Sequence, residues 1–342
     1  MVLCILLYLL EIMIEINKKT GVPKYKQIVN SIEEAIDGGA LQKGDQLPSI
    51  NAIKDTHNLS RDTVLTAYNE LKNRGIIQSI VGKGYFVSSE HIQIQQKIFL
   101  LFDEFNSFKE DLYNALLDHL GSHIQVDLFF HHFNEKSFSQ LIQDNAGDYN
   151  YYVIMPANLK HTAQELKILP KEKVYILDQL PKDLSKYAAI YQDFENDIFD
   201  NLSKANQLIT KYEQLILVFN KKKQPMGMQK GFIKYCKTNN IPFDVINSFD
   251  TETLKKGSLY IIPDDRNLLN IIKSSKKEKL KLAQDVGVIS YNETLLKEIV
   301  EGGITTISTD FKAMGKRLAE MILNKENIKI KNPHNIIIRN SL

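Results

Sequence analysis

The chain of 342 residues has no tryptophan and only two cysteines, Cys4 and Cys236, far apart and without metal-ligand spacing. That excludes a disulfide framework or a cysteine zinc site and fits a reducing cytoplasm. Charge of one sign is also lacking: 43 basic against 41 acidic residues leave a formal net charge of +2, too little for a nonspecific polyanion binder. No apolar run is long enough to cross a bilayer. The apolar start, residues 1–10, is too short, has no basic leader and meets Glu11 without a small-residue cleavage site. We read residues 1–14 as a misassigned start or a disordered extension, with Met13 as the expected beginning and a membrane anchor as the other reading. His119 with His123, and His131 with His132, have no cysteine or glutamate at matching spacing, so no metal is expected. Nucleophile elbow, phosphate-cradling glycine loop and Ser-His-Asp arrangement are all missing, so neither a cofactor nor catalysis is expected.

What is present is ordinary globular material, 43% apolar, with room for two or three cores. Tyr25, Ile28, Val29, Ile32 and Ile36 recur at helical spacing and stop at Gly38 and Gly39. A short second helix starts after Ser49, a natural cap, with Ile50 and Ile53 turned inward. The third helix is expected over residues 60–74. Ser60 caps it, Val64, Ala67, Tyr68 and Leu71 form its apolar stripe, and Gly75 supplies the stop. Its first turn carries Arg61 and Thr63, where a recognition helix meets base edges and phosphates. Residues 76–78 and 85–87 then read as a strand pair with Gly82, Lys83 and Gly84 at the tip, which makes a wing. The two helices joined at Thr56, His57 and Asn58 form a helix-turn-helix.

Leu47-Pro48-Ser49, Ser60-Arg61-x-Thr63-Val64, Leu71 with Gly75, and Gly82-x-Gly84 with Val87 occur in the order that marks the winged helix of the GntR family of bacterial transcription regulators. Residues 23–87 resemble that unit. The resemblance implies major-groove contact by Ser49, Arg61 and Thr63 and minor-groove contact by the wing tip. The candidate DNA contacts are Ser49, Asn51, Ser60, Arg61, Thr63, Thr66, Tyr68, Gly82, Lys83 and Gly84. Asn51 stands where the family often has arginine, so an altered operator preference is expected. Basic and acidic residues nearly balance in this unit, which leaves affinity dependent on geometry and on pairing two copies.

From residue 98 onward short apolar runs alternate with amphipathic stretches, the sign of strand–helix units in parallel sheets. Strands are expected at 98–102, 124–129, 152–155, 174–177, 215–219, 243–246, 259–262, 286–289 and 305–307, too many for one small sheet. Val286-Gly287-Val288 with Asn292, Ile304-Thr305-Thr306-Ile307 and Met314-Gly315 resemble the effector domain of the LacI/GalR regulators and related periplasmic sugar-binding proteins. The fold class implied is α/β: a winged helix-turn-helix at residues 15–88, a linker at 89–97, and a two-lobed periplasmic-binding-protein-like domain at 98–342 with two doubly wound parallel sheets.

Polar and aromatic residues at strand ends are the candidate effector contacts: Asp103, Phe105, Asn106, Phe108, Asp178, Tyr191, Asp193, Asp264 and Asn292. Asp264 replaces the family's Asn, Asn292 its Asp, and Met228 the Arg that clamps the ligand, which implies a different ligand pose or a replacement donor, Lys230 or Arg266. The reading is a cytoplasmic homodimeric repressor that binds operator double-stranded DNA and responds to a monosaccharide, a pentose or deoxyhexose by the resemblance. Its rivals are a pyridoxal-phosphate enzyme fused to the same head and a ligand-blind DNA binder.

Overall fold

The computed structural model describes residues 14–17, 20–88, 96–121, 124–250 and 254–342. The proposed extension, except for Ile14, and residues 89–95 of the proposed linker lie outside them. Ile14 is no loose end, since its side chain is buried in the core of the head.

The head holds three helices and a hairpin. Helix α1 (Lys24–Asp37) buries Ile28, Val29, Ile32, Ala35 and Ile36 and gives way to Gly39, whose φ of +73° lies in the left-handed region that suits glycine. Helices α2 (Ile50–His57) and α3 (Arg61–Asn73) are each started by a serine hydroxyl: Ser49 Oγ accepts from the Ala52 amide at 3.1 Å and Ser60 Oγ from the Thr63 amide at 3.2 Å. Asn58 in the left-handed conformation closes the turn between them. Strands β1 (Ile77–Ile80) and β2 (Gly84–Val87) pair antiparallel, with Gly82 (φ +74°) and Gly84 (φ +106°) allowing the tight tip.

The larger part has two six-stranded sheets. The first contains β3 (Gln96–Phe102), β4 (Ile124–Phe130), β5 (Tyr151–Ile154), β6 (Val174–Asp178) and β7 (Ala188–Tyr191), with α4 (Ser107–Leu120) and α5 (Glu135–Asp144) between strands. Gln96 and Lys97, expected in the linker, are already in strand β3. Alternation sends Ile98, Leu100 and Phe102 into the core on one face and Phe99 and Leu101 into the core on the other. Helix α6 (Phe194–Lys204) follows β7 and packs in the second lobe against α7 (Met226–Thr238), where Gly231 lets the Glu195 carbonyl approach. The second sheet adds β8 (Gln214–Val218), β9 (Phe243–Ile246), β10 (Ser258–Ile262), β11 (Gly287–Tyr291) and β12 (Thr305–Thr309), with α8 (Asp265–Lys277) and the short α9 (Leu295–Ile299). Helix α10 (Phe311–Leu323) then crosses back and packs on α4, with Gly315 against the Leu112 carbonyl.

Two short strands close the chain, and neither was expected from the sequence. β13 (Lys329–Lys331) joins the first sheet parallel to β7, and β14 (His334–Ile337) joins the second antiparallel to β12. The sheet orders are β13-β7-β6-β5-β3-β4 and β14-β12-β11-β10-β8-β9, parallel throughout except for β14. The chain therefore passes between lobes three times. Asn332 ties the crossings together: its amide donates to the Tyr191 carbonyl at 2.8 Å, and its Nδ2 donates to Thr309 Oγ1 and to the Asp310 carbonyl, each at 2.8 Å.

Candidate functional site

On the head, Ser49, Asn51, Ser60, Arg61, Thr66, Gly82, Lys83 and Gly84 are exposed and Thr63 is half-buried. Ser60 and Thr63 are engaged with each other, their hydroxyl oxygens 2.7 Å apart, and the Thr66 hydroxyl donates back to the Asp62 carbonyl at 2.7 Å. Arg61 thus presents its guanidinium from a first turn that the Ser60 cap holds rigid. The wing tip is braced by Gln46, whose Nε2 donates to the Lys83 carbonyl at 2.8 Å. Tyr68 is a correction. It is fully buried, stacks edge-on against Tyr85 and donates its hydroxyl to the Pro48 carbonyl at 2.7 Å, so it holds α3 to α2 and cannot meet DNA. Burial also pushes its phenol far above the usual tyrosine range.

Between the lobes, at the carboxyl ends of the parallel strands, lies a cleft of about 230 Å³. Such a volume is below the roughly 300–1,000 Å³ of drug-sized pockets and suits a small ligand. Asp103, Asn106, Phe108 and Asp178 line it from the first lobe, and Asp264 and Asn292 from the second, so six of the nine expected effector contacts converge there. The other three do not line it. Phe105 is 53% exposed and packs edge-on against Phe130. Asp193 caps α6 by accepting from the Asn196 amide and faces Lys331. Tyr191 ends β7 and pairs with Lys331 across the sheet. The missed neighbour is Gln192, which lies between those two and does line the cleft. Strand alternation explains the one-residue error, because adjacent side chains leave a strand on opposite faces.

The anticipated replacement donors, Lys230 and Arg266, are exposed and outside the cleft, while Met228 is buried in its wall. Its cations are Lys109, Lys223 and Lys297 instead, and each is already paired: Lys109 with Asp103, Lys223 with Glu104 at 2.7 Å, Lys297 with Asp265 at 3.1 Å. Lys297, only 1% exposed, also donates to the carbonyls of Tyr291 and Asn292, both at 2.8 Å. Its three donors are consumed in holding that strand end, and burial lowers its pKa against the raising influence of Asp265.

Two carboxylates remain without a lysine, one from each lobe. Asp264 caps α8, accepting from the Asn267 amide at 2.9 Å. Asp178 accepts from Gln192 Nε2 at 2.5 Å, and burial raises its pKa to about 6 despite the lowering influence of Lys109. Asp178 and Asn292 both carry positive φ, +73° and +62°, a local cost that functional sites often retain. Among the described residues, Gln192 Oε1 and Asn292 Oδ1 are buried acceptors without a hydrogen-bond partner, and both residues line the cleft. For Gln192 the orientation follows from chemistry, since its amide nitrogen must face the carboxylate. Phe108 and Phe311, with ring centroids 4.7 Å apart, and Tyr291 supply apolar faces. Tyr291 is held by His334 Nε2 at 3.0 Å, and Asn201 Nδ2 donates to His334 Nδ1 at 2.9 Å. Burial keeps that imidazole neutral, with a pKa lowered to about 3.

Residues 24–87 match the family described as bacterial regulatory proteins, gntR family, and residues 211–342 match the periplasmic binding protein-like domain. The transcriptional repressor YtrA of Bacillus subtilis is 30% identical over 106 residues, which cover 31% of this chain and 78% of YtrA. MngR of Escherichia coli, a repressor of a mannosyl-D-glycerate transport and metabolism system, is 36% identical over 107 residues, 31% of this chain and 41% of MngR. The chain thus spans less than half of the second relative. A solved complex of the transcriptional regulator CelR with cellobiose superposes with a TM-score of 0.59 at 12% identity, covering 82% of this chain and 90% of that one, which shows the fold alone. Among the described residues no helix is long and apolar enough to cross a membrane. The ordered motifs of the head, its winged-helix geometry and the match to YtrA place the chain in the gntR family of bacterial regulatory proteins, with a two-lobed periplasmic-binding-protein-like domain behind its helix-turn-helix.

Proposed function

We propose that this regulator is a cytoplasmic, homodimeric repressor of carbohydrate-utilisation genes, and that its effector is an uncharged monosaccharide held between the two lobes. The observation that carries the reading is the chemistry of the cleft: two carboxylates without a lysine and two residues with an orphaned amide oxygen line it, while its lysines already hold carboxylate partners. Such a wall is rich in acceptors and poor in donors. A sugar presents several hydroxyl donors to those acceptors and an apolar ring face to Phe108 and Phe311, whereas a phosphate would meet two carboxylates and only lysines that already have carboxylate partners. The cellobiose held by CelR in the same fold supports a sugar here.

DNA reading falls to Ser49, Asn51, Ser60, Arg61, Thr63, Thr66 and the wing tip, Gly82, Lys83 and Gly84. A single head with nearly balanced charge binds weakly, so two copies spaced on a two-fold operator are required. Lobe closure on the ligand alters that spacing and releases the DNA. A nearly complete switch needs the closed form to be preferred by about 5.5 kcal/mol.

The test is a thermal-shift screen of the full chain against free monosaccharides, including pentoses and deoxyhexoses, and their phosphates. A cognate sugar at a hundred times its dissociation constant adds roughly 2.7 kcal/mol. Stabilisation by a phosphate above its parent sugar contradicts the uncharged effector. Stabilisation by none leaves a ligand-blind DNA binder.

A further inference from the structure

The first lobe has a second working edge. Its cleft residues sit at the carboxyl ends of the strands, and at the opposite, amino ends the head is seated against residues 147–150 and 168–173. The fit is reciprocal. Gly147 of the lobe, with φ +88°, receives Val22 of the head: a Cβ on Gly147 would lie 2.6 Å from Val22 Cγ1. Gly21 of the head receives Ile168 of the lobe: a Cβ there would lie 2.8 Å from Ile168 Cβ. Two glycines, one on each partner, each admit an aliphatic side chain of the other. Val22 is only 5% exposed as a result. The Gly21 amide donates to the Ile168 carbonyl at 3.1 Å. Two ion pairs flank the contact, Lys26 with Asp148 and Glu34 with Lys173 at 2.6 Å.

We propose that the amino edge of the first lobe is a specific docking surface for the head of the same chain, and that the head reads DNA while seated on it. The residues used for docking, Gly21, Val22, Lys26 and Glu34, are distinct from the exposed reading residues Ser49, Asn51, Arg61 and Lys83, so both surfaces can be occupied at once. Lobe and head then move as one body. A shift of the first lobe on ligand closure reaches the recognition helix as a rigid displacement rather than through a loose tether. The ion pairs are partly exposed and therefore weak, so register comes from the glycine seats.

Zero-length carbodiimide coupling of the unmodified full chain tests this, because it joins a lysine to a carboxylate only when the two are in contact. The expected products are Lys26–Asp148 and Lys173–Glu34 amides, found by mass spectrometry at yields within about threefold of the cleft pair Lys223–Glu104. They should persist within twofold when the protein is bound to a duplex it has selected from a random-sequence pool. In a mixture of ¹⁵N-labelled and unlabelled protein they should stay within one isotopic species. Absence of both links while Lys223–Glu104 forms overturns the docking, and mixed-isotope links assign the seat to a second copy. Loss of the links on the duplex shows that the head must leave its seat to read DNA.

Discussion

The head and the cleft solve opposite problems with the same residue types. In the head the polar groups stand in water, and hydrogen bonds aim them: the local caps Ser49 to Ala52 and Ser60 to Thr63, and Gln46 to the wing tip. Around the cleft Asp103, Asp178 and Tyr291 are withdrawn from water, and partners 6, 14 and 43 residues away hold them. Asp103 is paired with Lys109 on the next helix, Asp178 with Gln192 just beyond the end of β7, and Tyr291 with His334 on β14. A reader of DNA meets a fully hydrated polyanion and gains from exposure, while a sensor of a small neutral molecule must make each hydrogen bond count against desolvation. The difference shows in titration. Burial moves the pKa of Asp178, Lys297 and His334.

The largest break in this comparison should come from Arg61→Ala. Loss of one base-reading arginine costs about 1–3 kcal/mol per head, so a dimer should bind its operator roughly thirty-fold more weakly or worse, in a mobility-shift titration at fixed salt. Stabilisation by sugar should be unchanged. If both fall while circular dichroism is intact, the two regions are not separate modules.

Asp178→Asn probes the buried side. The folded carboxyl titrates near 6 rather than 3.8, so between those values the folded protein keeps a proton that the unfolded chain has released. Its contribution to stability is present below about pH 4 and is lost as pH rises through 6. The Asn variant, which still accepts from Gln192, should therefore be more stable than the parent by on the order of 3 kcal/mol at pH 7.5 and show no gain at pH 4 in urea titrations. Sugar affinity should fall about tenfold or more with the loss of a charged acceptor. Unchanged affinity would remove Asp178 from the site.

Tyr68→Phe tests the boundary between the two styles inside the head. It strips the partner of the Pro48 carbonyl, so the head should lose about 1–3 kcal/mol of stability, while operator affinity per folded molecule is kept. Lys83→Ala, at the wing tip, should have the smallest effect: a shallower dependence of log affinity on log salt, by roughly 0.9 per head.

The head was legible because its signals are local. Caps, stops and the apolar stripe of α3 all fall within a few residues of the side chains they place. Tyr68 was read both ways, on the apolar stripe of α3 and among the DNA contacts, and its burial, with its hydroxyl on the Pro48 carbonyl twenty residues earlier, decides for the stripe. In the larger domain strand ends were readable and six cleft residues with them, yet Gln192 was missed by one position and Lys109 and Lys297 altogether. A lysine on an amphipathic helix resembles a solvated one until a carboxylate from elsewhere covers it.

By itself the sequence determined the helices and hairpin of the head and the strands of the larger domain with their ends, because those follow from periodicity and turn chemistry along the chain, while the family of the head came from the order of its motifs. Only the tertiary structure decided which charges are already paired, which amide oxygens are left wanting a donor, and where the head sits. These depend on residues far apart in sequence brought within a few ångströms, and no local pattern encodes such a distance.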